Sequence, residues 1–170
     1  MATAPELLAA TPEVVIRPMR ALDVAQVVAI ERASYQFPWS EGIFRDCLRV
    51  GYVCRVVGTT RELMGYGVMS SGAGEAHILN LCIGESCRCR GLARRLMLSL
   101  IERAGVLGAG EAFLEVRPSN TTAIRLYLSM GFTQVGVRRG YYQAVGGRED
   151  AAVLRLTLTD PRHAPGASRP

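Results

Sequence analysis

Arg88-Cys89-Arg90-Gly91-Leu92-Ala93 stands between an apolar, β-rich run, Leu79 to Ile83, and the clearest helical pattern in the chain. In that pattern Leu92, Leu96, Leu100, Ile101, Ala104 and Leu107 recur on one side, with Arg94, Arg95, Ser99, Glu102 and Arg103 on the other. A strand that turns through glycine into a helix aims unpaired backbone N–H groups, and the positive end of the helix dipole, at whatever lies in front. A phosphate is the natural occupant. Gly91 permits close backbone approach, Ala93 keeps the first turn uncrowded, and Arg88, Arg90, Arg94 and Arg95 add charge that pairs with phosphate oxygens. An ordinary arginine-rich helix start has the same local sequence. A dinucleotide fold would instead require G-x-G-x-x-G after the first strand, and that pattern does not occur.

Working outward, Val14 to Pro18 reads as a strand, and Asp23 offers an N-cap to a helix carrying Val24, Val27, Val28 and Ile30 that ends near Ser34. After the loop Tyr35-Gln36-Phe37-Pro38-Trp39-Ser40, Ser40 caps a short helix with Ile43, Phe44, Cys47 and Leu48. Tyr52 to Val57 and Leu63 to Ser70 read as a hairpin through Gly58-Thr59-Thr60, and Ala76 to Ile83 as a further strand. Ala112 to Val116 is a short strand, Asn120 to Met130 a helix stopped by Gly131, and Thr133 to Arg138 and Ala151 to Thr157 the final strands. Runs of consecutive strands mixed with crossover helices predict an α/β fold with a mixed sheet.

The 170 residues suit one domain, expected over 13–159, with Ala/Thr/Pro-rich and Pro-rich tails at 1–12 and 160–170. All 20 basic residues are arginine, against 15 acids, for a net charge of +5. The absence of lysine, for which codon bias is the bland explanation, removes Schiff-base chemistry and the P-loop. The positive balance suits an acidic partner, a phosphorylated cofactor or RNA, without choosing between them.

Five cysteines at irregular spacing, with no basic n-region ahead of them, predict a reducing, cytoplasmic setting, and no apolar run approaches a membrane span. Cys87-x-Cys89 has only His77 and His163 as possible co-ligands, so no metal is expected. A nucleophilic role for these thiols would need a positioned base, and a spectator role is the simpler reading.

Taken together, the strand, the turn of the form [R/Q]-x-x-G-x-[G/A], the helix, the next strand and the second helix resemble the GNAT superfamily of acetyl-CoA-dependent N-acetyltransferases. The resemblance extends through Phe37-Pro38-Trp39-Ser40, Leu114-Glu115-Val116-Arg117, Ser119-Asn120, Ala123-Ile124-x-Leu126-Tyr127 before Gly131-Phe132, Arg139-x-Tyr141-Tyr142 and Gly147-Arg148-Glu149-Asp150-Ala151. That set, in that order, is similar to the RimI-type enzymes that acetylate the N-terminal alanine of a small-subunit ribosomal protein. The sequence departs from that pattern where Cys87 and Cys89 stand among the arginines of the turn, and where Gly84-Glu85 replaces an Asp-Pro pair. Both changes leave the backbone donors in place.

The resemblance implies a GNAT fold, a mixed and mostly antiparallel sheet of about seven strands flanked by about four helices, with acetyl-CoA as co-substrate. It implies that Arg88, Cys89, Arg90, Gly91, Leu92, Ala93 and Arg94 hold the pyrophosphate. Backbone groups of Leu81, Cys82 and Ile83, on a bulged fourth strand, would meet the acetyl carbonyl and pantetheine arm, and Asn120 would bond the cofactor. Phe37 and Trp39 on one side, and Arg139 and Tyr142 on the other, would line the peptide groove. The resemblance implies the N-terminus of a ribosomal protein as partner, with no direct nucleic-acid binding or membrane required and a monomer expected as the acting unit.

Two residues would carry the proton transfers. Glu115, near the C-terminal end of a short strand, reads on its own either as a strand glutamate facing solvent or pairing with Arg117, or as a base in the crevice where α/β sheets open. Tyr127 reads either as core, in helical register with Ala123, Ile124 and Met130, or as a phenolic acid. In RimI-type enzymes the matching positions are proton acceptor and proton donor. Two other readings stay open, acetylation of other N-termini or lysine side chains, and a non-catalytic CoA-binding module.

Overall fold

A computed structural model describes residues 12–158. Thr159 and the tails expected at 1–12 and 160–170 lie outside the described residues, Pro12 apart.

Strands β1 (Val15–Pro18), β2 (Val53–Gly58), β3 (Leu63–Gly72), β4 (Glu75–Ile83), β5 (Glu111–Val116), β6 (Thr133–Ala144) and β7 (Gly147–Thr157) form one sheet. Its order is β1-β2-β3-β4-β5-β7-β6. Only β4 and β5 run parallel; every other neighbouring pair is antiparallel. Four helices complete it: α1 (Val24–Ser34), α2 (Glu41–Arg49), α3 (Leu92–Val106) and α4 (Thr121–Ser129). The order of elements predicts the mixed sheet, and the family resemblance its mostly antiparallel seven strands and four helices.

The two sheet faces carry separate cores because strand side chains alternate. On β5, Ala112, Leu114 and Val116 are buried against Met97, Leu100, Ile101 and Ala104 of α3 and Tyr127 of α4, whereas Glu111, Phe113 and Glu115 point to the opposite face. On that other face Val24, Val27 and Val28 of α1 and Phe44 and Cys47 of α2 pack on Cys54, Val56, Tyr66 and Val68. Phe44 is fully enclosed, edge-on to Tyr66 at 5.3 Å, so truncation to alanine would cost about 3–5 kcal/mol.

Two local expectations differ from the structure. Asp23 precedes α1 but makes no side-chain cap there; its carboxylate takes a bidentate bond from Arg17 and accepts from the Arg20 backbone N–H, closing the short turn ahead of the helix. The last two strands are longer than their apolar cores. β6 runs on to Ala144 and β7 begins at Gly147, making a projecting hairpin with a register shift between Arg138 and Tyr142. Gly140, at φ 56°, supplies the left-handed step of that shift.

Candidate active site

The ladder between β4 and β5 ends at Ile78 and Leu114, although β4 continues to Ile83 and β5 to Val116. On the other side of β4 the register jumps from Val68 opposite Asn80 to Met69 opposite Ile78, so Leu79 is the extra residue of a bulge. The outer half of β4, residues 79–83, therefore has no strand partner on the β5 side. A mouth opens in the middle of the sheet.

Side chains from four other elements converge on it. The Tyr35 hydroxyl, just past α1, donates to the Leu81 carbonyl at 3.3 Å. Burial first, then the neighbouring Cys82, Glu31 and Tyr127, raises that phenol far above its ordinary value. Tyr127 of α4 is 7% exposed, its ring 5.9 Å from that of Phe132 in the α3-side core. Burial, with a smaller contribution from Cys82, pushes its phenol up to about 12. Tyr142 of β6 is raised by burial first and then by Tyr141, Glu115 and Tyr127, with Arg117 opposing. Tyr142 is thus the group that senses both Glu115 and Tyr127. Glu115 itself is mostly buried and pairs with Arg138 of β6, not with Arg117.

From Ile83 the chain passes Gly84, a short turn Glu85–Cys87 and Arg88 before α3. Cys87 and Leu92 are buried beside Val57, Ile83 and Leu96, which anchors both ends of the turn. Between them Cys89 and Gly91 adopt left-handed φ values of 61° and 72°. Among the described residues, the backbone N–H groups of residues 89–94 meet no acceptor. The arginines divide by role. Arg88 folds back onto the Ile83 carbonyl at 3.1 Å, Arg94 reaches Ser129 Oγ on α4 at 2.6 Å, and Arg95 donates to the Val14 carbonyl at 3.1 Å. Arg90 is exposed with no such partner among the described residues.

Asn120 caps α4, its Oδ1 accepting from the Ala123 N–H at 3.2 Å. Beyond it lies a pocket of about 260 Å³ lined by Ser34, Tyr35 and Phe37 on one side and by Arg117, Gln143 and Glu149 on the other. Arg117 organises the far wall: it donates to Glu149 at 3.0 Å and to the Gln143 carbonyl at 2.9 Å, and stacks 4.4 Å above the Tyr142 ring. Glu149 also accepts from the Ser119 N–H at 3.1 Å, tying the hairpin to the β5–α4 turn.

Of the groove residues named from sequence, Phe37 is 43% exposed and lines this pocket, and Tyr142 lies beneath Arg117. Trp39 is turned inward, its ring 5.5 Å from Phe44. Arg139 is exposed on β6 and makes no hydrogen bond or ion pair among the described residues. Arg117, Arg138 and Glu149 escape the sequence reading as site residues, since each enters through a partner far along the chain, whereas Tyr35 lies in the loop that the resemblance places at the groove. Glu31 did leave a signal, an acid in register with the buried Val24, Val27 and Val28. Among the described residues no group of three or more His, Cys, Asp or Glu could hold a metal, and no helix is long and apolar enough to cross a membrane. His163 lies outside the described residues.

A sequence model of the acetyltransferase (GNAT) family matches residues 24–132. The ribosomal protein bS18-alanine N-acetyltransferase of Escherichia coli (strain K12) is 31% identical over 144 residues, covering 85% of this chain and 97% of that protein. The crystal structure of the ribosomal-protein-S18-alanine N-acetyltransferase from Escherichia coli superposes with a TM-score of 0.80 at 30% identity, over 86% of this chain and 94% of that one. The Arabidopsis thaliana NAA60 structure in complex with acetyl-CoA shares the fold, with a TM-score of 0.77 at 22% identity over 86% of this chain and 99% of that one.

Proposed function

The chain belongs to the acetyltransferase (GNAT) family, and we propose that it transfers the acetyl group of acetyl-CoA to the N-terminal α-amine, an alanine, of a small-subunit ribosomal protein. The observation that carries this reading is the mouth between β4 and β5, with Glu115 on one side of it and Tyr127 on the other. The relatives that match nearly full length carry that activity in their names.

The residues suit acetyl-CoA. A diphosphate needs hydrogen-bond donors, and the N–H groups of residues 89–94 have no acceptor of their own among the described residues. Arg90 is the guanidinium with no other engagement there. The edge of Leu81, Cys82 and Ile83, which no strand pairs on the β5 side, suits the amide-bearing pantetheine arm, and the Asn120 side-chain amide, whose oxygen is committed to capping, keeps its N–H donors. Acetyl-CoA supplies the thioester; the protein supplies orientation and two proton transfers.

An α-amine, with a pKa near 7.7–8.0, needs only ~1.4 kcal/mol to become neutral at pH 7, against ~4.6 kcal/mol for a lysine amine. A carboxylate acting directly or through one water is sufficient for the former, and Glu115 is that acceptor. Tyr127, held protonated by burial, returns a proton to the departing sulfur. A monomer is the acting unit proposed. A ribosomal-protein substrate suits a cytoplasmic reaction, and the proposed chemistry needs no contact with nucleic acid.

The test is mass spectrometry of an alanine-starting peptide, containing an internal lysine, incubated with the protein and acetyl-CoA. One acetyl group at the α-amine is expected. Acetylation confined to the lysine, or undiminished when the N-terminus is blocked, overturns the reading.

A further inference from the structure

Glu31 is 1% exposed, so its carboxylate sits inside the α1-side core. An unpaired buried carboxylate is among the most expensive groups a fold can keep. No cation pairs with it among the described residues. Three neutral donors satisfy it instead: the Trp39 backbone N–H at 2.7 Å, the Tyr66 hydroxyl, and Asn80 Nδ2 at 3.3 Å. Burial, with smaller contributions from Cys82 and Glu31, raises the Tyr66 phenol and keeps it a donor.

The three donors belong to three different pieces of the site. Trp39 ends the loop whose earlier residues line the acceptor pocket, Tyr66 lies on β3, and Asn80 stands beside the bulge that opens β4. If stability alone decided, an apolar residue of similar volume would serve at least as well at this position of α1. What the carboxylate adds is a fixed relation between loop and opened strand. Tyr35 supplies a second tie between the same two pieces through the Leu81 carbonyl. None of these bonds reaches the turn around Gly91.

We propose that Glu31 is a positioning residue that clamps the loop 35–39 to the opened half of β4, and thereby sets the width of the acceptor pocket between that loop and the Arg117–Glu149 wall. This rests on the function proposed above, with the pocket lined by Tyr35, Phe37, Arg117 and Glu149 as the place of the acceptor peptide. The clamp acts through hydrogen-bond geometry. Glutamine can preserve it: its oxygen accepts from the Trp39 N–H, its amide donates to a rotated Tyr66 hydroxyl, and a flipped Asn80 offers its oxygen. Leucine, of similar volume, cannot.

The chain carries its own reporter, since Trp39 is the single tryptophan of the 170 residues. Glu31→Leu is expected to increase acrylamide quenching of Trp39 and to raise KM for an alanine-starting peptide about tenfold, with kcat and the calorimetric Kd for acetyl-CoA changing less than about threefold. Glu31→Gln is expected to stay near wild type in all four. Tyr66→Phe removes one donor and spares the fold; it should raise peptide KM about threefold. Wild-type quenching and KM in both Glu31→Leu and Tyr66→Phe would overturn the clamp, as would equal losses in the leucine and glutamine variants. Should the wild-type chain fail to acetylate the peptide, the functional reading falls by itself, and Trp39 quenching still decides whether Glu31 holds the loop.

Discussion

Glu115 Oε1 on β5 lies 3.3 Å from Arg138 Nε on the edge strand β6, an ion pair that reaches across β7. The carboxylate side chain is 15% exposed and the arginine 57%, so the pair joins a sheltered group to a solvated one. Such a pair adds little stability. Its effect is to fix the orientation of the carboxylate. Arg138→Gln should leave the urea midpoint essentially unchanged while lowering kcat/KM for the peptide roughly threefold to tenfold, a loss partly reproduced in the wild type by high salt. Equal activity in steady-state assays would deny the pair any part in orienting Glu115.

Removing either proton-transfer group tests the chemistry more directly. Glu115→Gln and Tyr127→Phe should each lower kcat by roughly 10² to 10⁴. Both should bind acetyl-CoA with wild-type affinity by calorimetry, because neither contacts the turn at residues 88–94. Unchanged turnover in both would remove these assignments.

Alkaline behaviour follows from the Tyr127 phenol, pushed up to about 12 by burial and by Cys82. A donor works only while protonated, so kcat should show no descending limb near pH 10, where an ordinary tyrosine titrates. A half-loss of kcat at about pH 10 would show Tyr127 to be ordinary or unused. The same shift bears on stability. The native phenol holds its proton more tightly than the unfolded one, so its contribution is complete below about pH 10 and is lost as the pH climbs towards about 12. Urea midpoints measured at pH 8, 10 and 11 should fall across that window, and less steeply in Tyr127→Phe.

At the turn, Gly91 stands at φ 72° and an added Cβ would meet nothing within 4 Å. Gly91→Ala therefore has a purely conformational cost, about 1 kcal/mol by denaturant unfolding. A loss several times larger would mean that the side chain does meet the protein.

Arg90 and Arg88 should separate cleanly. Arg90→Ala is expected to weaken acetyl-CoA binding about threefold to tenfold, in a manner that fades with salt, and to leave stability unchanged. Arg88→Ala loses the bond to the Ile83 carbonyl and should lower stability by about 1 kcal/mol. Calorimetry and thermal unfolding of both variants read the difference; an Arg90→Ala Kd equal to wild type would take that guanidinium out of cofactor binding.

The helices were legible because their evidence is local. Val24, Val27 and Val28, or Leu92, Leu96 and Leu100, recur at spacings that only a helix brings to one side, and those sides are the buried ones. Ala112 to Val116 was legible as a short strand, and the structure shows Leu114 and Val116 buried on one face with Glu115 on the other. The outer hairpin was less legible. Residues 139–150 are polar and interrupted by glycines, so no alternation marks them as strand, and their pairing rests on the partner strand and on the bulge at Gly140.

The kinds of element, their order and the strand–glycine–helix turn are written in local sequence, because each follows from side-chain period and backbone freedom within a few residues. The parting of β4 and β5 after Ile78 and Leu114, the pairing of Glu115 with Arg138, and the bonds of Arg88 to Ile83 and Arg94 to Ser129, with Arg90 left without a partner among the described residues, come from the assembled fold. Those outcomes depend on contacts between residues tens of positions apart, where a strand ladder, a bulge and a guanidinium compete for partners that no local pattern contains.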